Sequence, residues 1–328
     1  GTSYSTDGDR AGSSWNCYWP QAHAMDVLID AYLRIPEGDA RREEYRNYMA
    51  LWYQNKGNNY ETGSYSGSYG FGNPYTDDSE WIILTLIRMY EATGVQNYLD
   101  AAAATYKETV ISRWTDDENG GGIRWCMTSE NSKNACSNGP GALCAMRLWA
   151  NTEDGPEREQ YLADAVKVYS WLSATLYNPE TGAVSDHMIN GAITGGPLTY
   201  NQGTFLGAAY ELYKATGEEH FLKEAQRTAA ACYDFFFEEF TPEGGEAFRI
   251  LRKGNVWFSA VMVRGLIELY GVDGNTTYVD AVRRSLDYAW NHARDEYGLF
   301  ETDFTGADRQ SEKWLLTQAA MVEMYARI

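Results

Sequence analysis

The sequence predicts an all-α protein, an (α/α)6 barrel of helical hairpins with its long loops on one face, where a site would form. Three observations predict it. Apolar residues recur at helical spacing along most of the 328 residues. The helices come in pairs, a largely apolar one followed by an amphipathic one, and the pairs repeat every ~50 to 65 residues. Short turns inside a pair alternate with long connections between pairs, so every long loop falls on the face that carries the N-termini of the apolar helices.

The apolar, inner helices are predicted to begin near Cys17, Asp77, Pro140, Asn201, Trp257 and Ser311. Segments such as SEWIILTLIRMYEATG, QGTFLGAAYELYKATG and FSAVMVRGLIELYGVDG are apolar on more than one side, which fits burial over most of the helix surface. Gly94, Gly217 and Gly271 are read as their stops, because glycine takes the left-handed conformation that closes a helix. The outer partners, such as VQNYLDAAAATYKETVISRW and EEHFLKEAQRTAAACYDFFFEEF, carry a charged face. Each has an aromatic a few residues in: Tyr45, Tyr98, Tyr161, Phe221 and Tyr278. Five hairpins and a last inner helix, SEKWLLTQAAMVEMYARI, leave the twelfth helix of such a barrel unassigned. An open solenoid of hairpins is the alternative, and it would favour a binding protein. One domain, residues 1–328, is expected, since closed architectures often reach this length.

Composition narrows the partners. A net charge of −19 and a pI near 4.6 repel phosphate backbones, so nucleic acid is not an expected partner. No apolar run has membrane-spanning length. The opening GTSYSTDG lacks a start Met and reads as a processed or trimmed end, with any targeting segment outside this chain. With four histidines and no CxxC pair, no metal or cofactor is expected. Cys144 and Cys232 read as buried thiols, whereas Cys126 and Cys136 flank one loop and are candidates to pair. The 25 Tyr and 11 Trp suit a cleft that stacks sugar rings, although an aromatic-rich helical core accounts for them equally well.

The chemistry points to NPYTDDSEW. Asp77 and Asp78 open an inner helix, with Thr76 as the expected N-cap. Acidic residues in a first turn stabilise the helix dipole, which is reason enough for at least one of them. The same triplet recurs in WTDDENGGG, where Asp116 and Asp117 are read as shaping a glycine turn, with Asp116 a lesser candidate for substrate contact. Position separates the two copies, because an inner helix brings its first turn to the loop face, near other helices and buried surface. Adjacent helical carboxyls lie roughly 5 to 6 Å apart, which suits a nucleophile with an acid/base partner better than an inverting pair.

NPYTDDSEWIILTLIRMYEATG, the GGGIRW turn, TYNQGTFLGAAYELYKATG and VMVRGLIELY together resemble glycoside hydrolase family 76, the α-1,6-mannanases, over roughly Trp15 to Ala326. The resemblance implies an (α/α)6 fold and retaining cleavage of α-1,6-mannan, with Asp77 as nucleophile and Asp78 as general acid/base. It implies α-mannan or manno-oligosaccharides as substrate, and some fungal relatives act as transglycosylases on cell-wall anchors. Tyr75, Trp125, Asn201 and Gln202 are the candidate substrate-binding residues, with an N-cap role for Asn201 as the alternative. His23 is read as a core histidine, and Arg252 and Lys253 as solvated charges. FETDFTGADRQ has no counterpart in the family pattern.

Two rivals keep the fold. An unsaturated uronyl hydrolase needs a cationic subsite, and the face loops are poor in Arg and Lys; an epimerase needs a histidine pair, and His23 has no evident partner. A third reading is a non-catalytic glycan-binding protein. A monomer is expected, in a secreted, periplasmic or cell-surface setting, because mannans are extracellular.

Overall fold

Among the residues described by the computed structural model (18–54, 67–117, 120–127, 131–310 and 312–328), helices alternate as the periodicity predicts. The inner set is α1 (Tyr18–Arg34), α3 (Thr76–Thr93), α5 (Ala135–Ala150), α7 (Thr199–Thr216), α9 (Val256–Asp273) and α11 (Leu315–Arg327). The outer set is α2 (Ala40–Gln54), α4 (Gln96–Thr109), α6 (Pro156–Thr175), α8 (Glu219–Phe236) and α10 (Thr277–His292). They pack as two compact units. In the first, Gly1–Thr175 with His187–Thr194, α1 packs on α3 and α3 on α5, and α2, α4 and α6 lie against their partners. In the second, Leu176–Asp186 with Gly195–Ile328, α7 packs on α9 and α9 on α11, with α8 against α7 and α10 against α9.

Burial follows the pattern that the sequence set. In α3 every residue from Trp81 to Leu86 is buried, and α10 keeps one face in the core through Val279, Val282, Leu286 and Ala289. Tyr98, Tyr161 and Phe221 are buried as outer-helix anchors. The motifs in α7 and α9 have a packing reason: a Cβ on Gly203 would meet Val261 O at 2.5 Å, and one on Gly265 would meet Gly203 O at 2.7 Å. Glycine lets these two backbones touch.

Three boundaries differ from expectation. Helix α5 starts at Ala135, so Pro140 sits inside the helix and forgoes one helical hydrogen bond. Gly94 (φ 71°) and Gly217 (φ 72°) close α3 and α7, but α9 runs on through Gly271 and is closed by Gly274 (φ 66°). There Asp273 Oδ1 accepts the Asn275 N–H at 2.9 Å and turns the chain. The expected starts at Cys17 and Ser311 lie outside the described residues, and α11 begins at Leu315.

Short strands occupy the connections. Strands β1 (Ser132–Asn134), β2 (His187–Ile189) and β3 (Ala192–Thr194) form an antiparallel sheet in that order, with Ser132 opposite Ile189. Strands β4 (Phe237–Phe240) and β5 (Phe248–Leu251) form a hairpin.

A repeated clamp fixes the loop roots. The connections after α4, α6 and α10 fold back with the bridges Trp114–Ile123, Tyr177–Val184 and Arg294–Phe300. Asn138 accepts the Ile123 N–H at 2.8 Å and donates to its carbonyl at 3.1 Å. Gln202 does the same for Val184 at 2.8 and 2.9 Å, and Gln318 for Phe300 at 2.8 and 3.0 Å. Each amide is the fourth residue of its helix, α5, α7 or α11. The main-chain N–H and carbonyl of a residue removed from water thereby each keep a partner.

Candidate active site

The start of α3 is held from outside the helix. Tyr75 is the cap residue and makes no side-chain cap bond. Thr76, expected to cap, is instead the first helical residue; its hydroxyl donates to Arg124 O at 2.6 Å and accepts from Arg113 Nη1 at 3.0 Å. Its N–H donates to Trp125 O at 2.8 Å, Tyr75 bridges Cys126, and the Met127 N–H donates to Pro74 O at 3.0 Å. The buried Arg113 also donates to Asn73 O at 2.6 Å. A short antiparallel contact thus replaces the local cap and brings Trp125 beside the aspartates.

Trp125 and Tyr75 form an aromatic wall, their centroids 5.2 Å apart and their planes tilted by 56°. Tyr75 is 42% exposed and available to a ligand. The Trp125 indole N–H, the Cys136 thiol and the main-chain N–H groups of Asp77 and Asp78 approach the Asp77 carboxylate as donors that favour its charged form. Burial pushes the Asp77 carboxyl up to about 6, and those donors act against the rise. The residue as a whole is part-exposed, while its Oδ1 is out of solvent and has no hydrogen-bond partner. Asp78 is 8% exposed in the same helical turn. Both sit where the helix dipole favours negative charge.

The second Asp-Asp pair is a turn, as expected. Asp116 accepts the Trp114 indole N–H at 2.9 Å, and Asp117 Oδ2 accepts the Thr115 hydroxyl at 2.8 Å. The buried Lys133 donates to the carbonyls of Thr115, Gly121 and Gly122 at 3.0, 2.7 and 2.9 Å, with Asp117 at 3.3 Å. Burial lowers the Lys133 pKa, and the charge of Asp117 opposes that shift. Gly122 (φ 94°) lies against Trp171, where a Cβ would come within 2.9 Å of the ring. The expectations named neither Lys133 nor Arg113; one lysine in a polar loop and one arginine closing an amphipathic helix carry no spacing signal.

The remaining candidates take mixed places. Asn201 is buried inside α7, two residues beyond its first residue Thr199, so it is not the cap; its Nδ2 donates to Asp186 Oδ1 at 3.0 Å and its Oδ1 lacks a hydrogen-bond partner. Gln202 is 1% exposed, and both its amide atoms serve Val184. Asn201 and Gln202 belong to the second unit, Asp77, Asp78, Tyr75 and Trp125 to the first. Cys126 and Cys136 are buried thiols and do not form a disulfide with each other. His23 is a buried residue of α1 packed on Trp81, with ring centroids 5.1 Å apart. Lys253 pairs with Asp308, and Arg252 lies 3.9 Å from Glu238.

A buried carboxylate with donors around it, a second carboxyl in the same turn and an aromatic wall are the parts a glycosidase site requires. The chain belongs to glycosyl hydrolase family 76, whose model matches residues 2–248. It is 26% identical over 237 residues to the mannan endo-1,6-alpha-mannosidase DFG5 of Candida albicans, covering 68% of this chain and 51% of that protein. The chain thus spans about half the length of that curated relative. A family 76 mannosidase of Bacteroides thetaiotaomicron superposes with a TM-score of 0.84 at 25% identity, covering 99% of this chain and 92% of that one. An inactive α-1,6-mannanase variant of Salegentibacter sp., with two consecutive aspartates replaced by alanine and α-1,6-mannotetrose bound, matches at a TM-score of 0.77 and 30% identity. That match covers 94% of this chain and 88% of that one.

Proposed function

We propose that this protein is a retaining glycoside hydrolase that cleaves α-1,6-mannosidic linkages, with Asp77 as nucleophile and Asp78 as general acid/base. The observation that carries the reading is the Asp77 carboxylate, drawn out of water, held by Trp125 and Cys136, with Asp78 beside it at one helix start. The Salegentibacter α-1,6-mannanase, inactive when two consecutive aspartates are replaced, supports giving the adjacent pair this role.

The steps follow from the charges. Above about pH 6 Asp77 is an anion, and its donors aim it without neutralising it. Its oxygen attacks the anomeric carbon of a mannosyl unit as the C1–O6 bond breaks. Asp78 gives its proton to the departing O6. The negative charge of Asp77 favours a protonated Asp78 before attack, and ester formation removes that charge. Asp78 is then the base that takes a proton from water, whose oxygen attacks C1 and frees Asp77. Trp125 and Tyr75 offer ring faces to the apolar side of a sugar. Gln202 is scaffold within its own unit, its amide already engaged by Val184. The substrate is an α-mannan or manno-oligosaccharide met outside the cell or at its surface, and the enzyme acts as a monomer.

The test is reducing-sugar release from linear α-1,6-mannan, with the first-formed anomer read by NMR. A retained product is expected. An inverted product removes the two-step mechanism, and mannan binding without release makes this a binding protein.

A further inference from the structure

Below Asp77, on the same face of α3 and one turn on, lies Glu80. It is 0% exposed, and neither carboxyl oxygen has a hydrogen-bond partner. Asp77 Oδ1 is likewise out of solvent and without one. Residues three apart on a helix are surface neighbours, with Cβ atoms about 5 to 6 Å apart. Two buried carboxyls that close cannot both be charged without strong repulsion. The room around Glu80 is specific: a Cβ on Gly141 of α5 would lie 2.9 Å from its Oε1, so glycine there makes space for this carboxyl.

We propose that Glu80 is a positioning residue that carries its proton at working pH and donates it as a hydrogen bond toward Asp77 Oδ1, holding the nucleophile as an oriented anion. The assignment rests on the reading of Asp77 as nucleophile. It satisfies two orphaned groups with one bond, where a charged Glu80 would leave both without a donor. The surroundings favour the neutral acid. Cys144 of α5 and Tyr106 of α4 face Glu80 as uncharged groups, their own ionisation pushed well up by burial. Burial, and after it the Asp77 charge, hold the Glu80 carboxyl well above its usual range, and Arg113 is the one opposing charge among the causes of that shift. The other helix packed on α3, α1, directs its groups elsewhere: His23 meets Trp81, and Asp26 and Asp30 pair with Arg88 at 2.8 and 2.5 Å. Asp164 of α6 reaches this cluster through Tyr106.

Two variants and one titration test this. Glu80→Gln keeps a neutral donor of the same size; kcat/KM and its acidic limb should match the parent. Glu80→Met keeps the volume and removes the donor; the acidic limb should rise by about one pH unit, a loss of about tenfold below it with recovery at alkaline pH. A merely structural role would lower activity equally at all pH and would not be rescued by glutamine, and either result overturns the proposal. Carbon-13 titration of the side-chain carboxyls in the parent protein decides independently of activity. A Glu80 carboxyl still protonated at neutral pH, after Asp77 has ionised, supports the assignment even if the methionine variant fails to fold; an ionised Glu80 refutes it. If the parent releases no sugar from mannan, the functional reading falls, while this titration still decides the state of Glu80.

Discussion

Gln202→Ala separates a scaffold role from a substrate role at a residue where sequence favours the second. Val184 is fully buried, and its N–H and carbonyl find their partners in the Gln202 amide at 2.8 and 2.9 Å. Truncation strips both groups in a place water does not reach. Each unsatisfied buried group costs about 1 to 3 kcal/mol, so the loss is about 2 to 6 kcal/mol. At about 2 to 4 °C per kcal/mol, the melting temperature should fall by roughly 4 to 24 °C. Calorimetry reads this directly, and kcat and KM on an α-1,6-mannooligosaccharide, measured well below both midpoints, should stay close to the parent. Gln202→Glu should also melt early, because a carboxylate accepts from the Val184 N–H but has no hydrogen for its carbonyl. Asn138→Ala and Gln318→Ala should behave like Gln202→Ala, since they grip Ile123 and Phe300 in the same way. An unchanged melting temperature with KM raised about tenfold, which is ~1.4 kcal/mol of lost binding, would refute the clamp and restore Gln202 to the substrate.

Asp78→Ala should lower kcat by about 10² to 10⁴-fold and Asp77→Ala should abolish turnover, both with little loss of stability, while Asp116→Ala, which loses the Trp114 hydrogen bond and a charge near Lys133, keeps substantial activity in the same reducing-sugar assay. The acidic limb of kcat/KM should lie near the Asp77 value of about 6. Stability has the opposite sign: the folded Asp77 carboxyl is raised from 3.8, so its favourable contribution is full below pH 3.8 and is lost as pH climbs through about 6. Asp77→Asn should therefore melt higher than the parent above pH 6, by about 1 to 2 kcal/mol, and match it below pH 4. Lys133→Met takes the shared donor from the carbonyls of Thr115, Gly121 and Gly122 and should cost about 3 to 5 kcal/mol in chemical unfolding. A loss under about 1 kcal/mol would mean that Trp171 packing alone holds the glycine turn.

The alternation of inner and outer helices was legible because burial writes itself locally: apolar residues recurring at helical spacing are what a buried face requires, and α3, α7 and α9 lie where that period lies. The candidate aspartates were legible for the same reason, as the first turn of such a helix, and the glycine turn was legible from its copy of the triplet. What failed in the sequence failed by missing partners. Thr76 looks like a cap until Arg124 and Arg113, 48 and 37 residues away in the chain, take its hydroxyl. Asn201 and Gln202 look alike as side-chain amides, yet neighbours on a helix point about 100° apart, and only the position of Val184 decides which one is consumed by the scaffold. Cys126 and Cys136 look like a pair until the bridge to Tyr75 takes the first and Asp77 takes the second. Sequence by itself determined the helices and put two carboxyls at the head of one of them. Tertiary structure decided their surroundings, because the burial around Asp77 and the side chains of Trp125 and Cys136 come from residues distant in the chain.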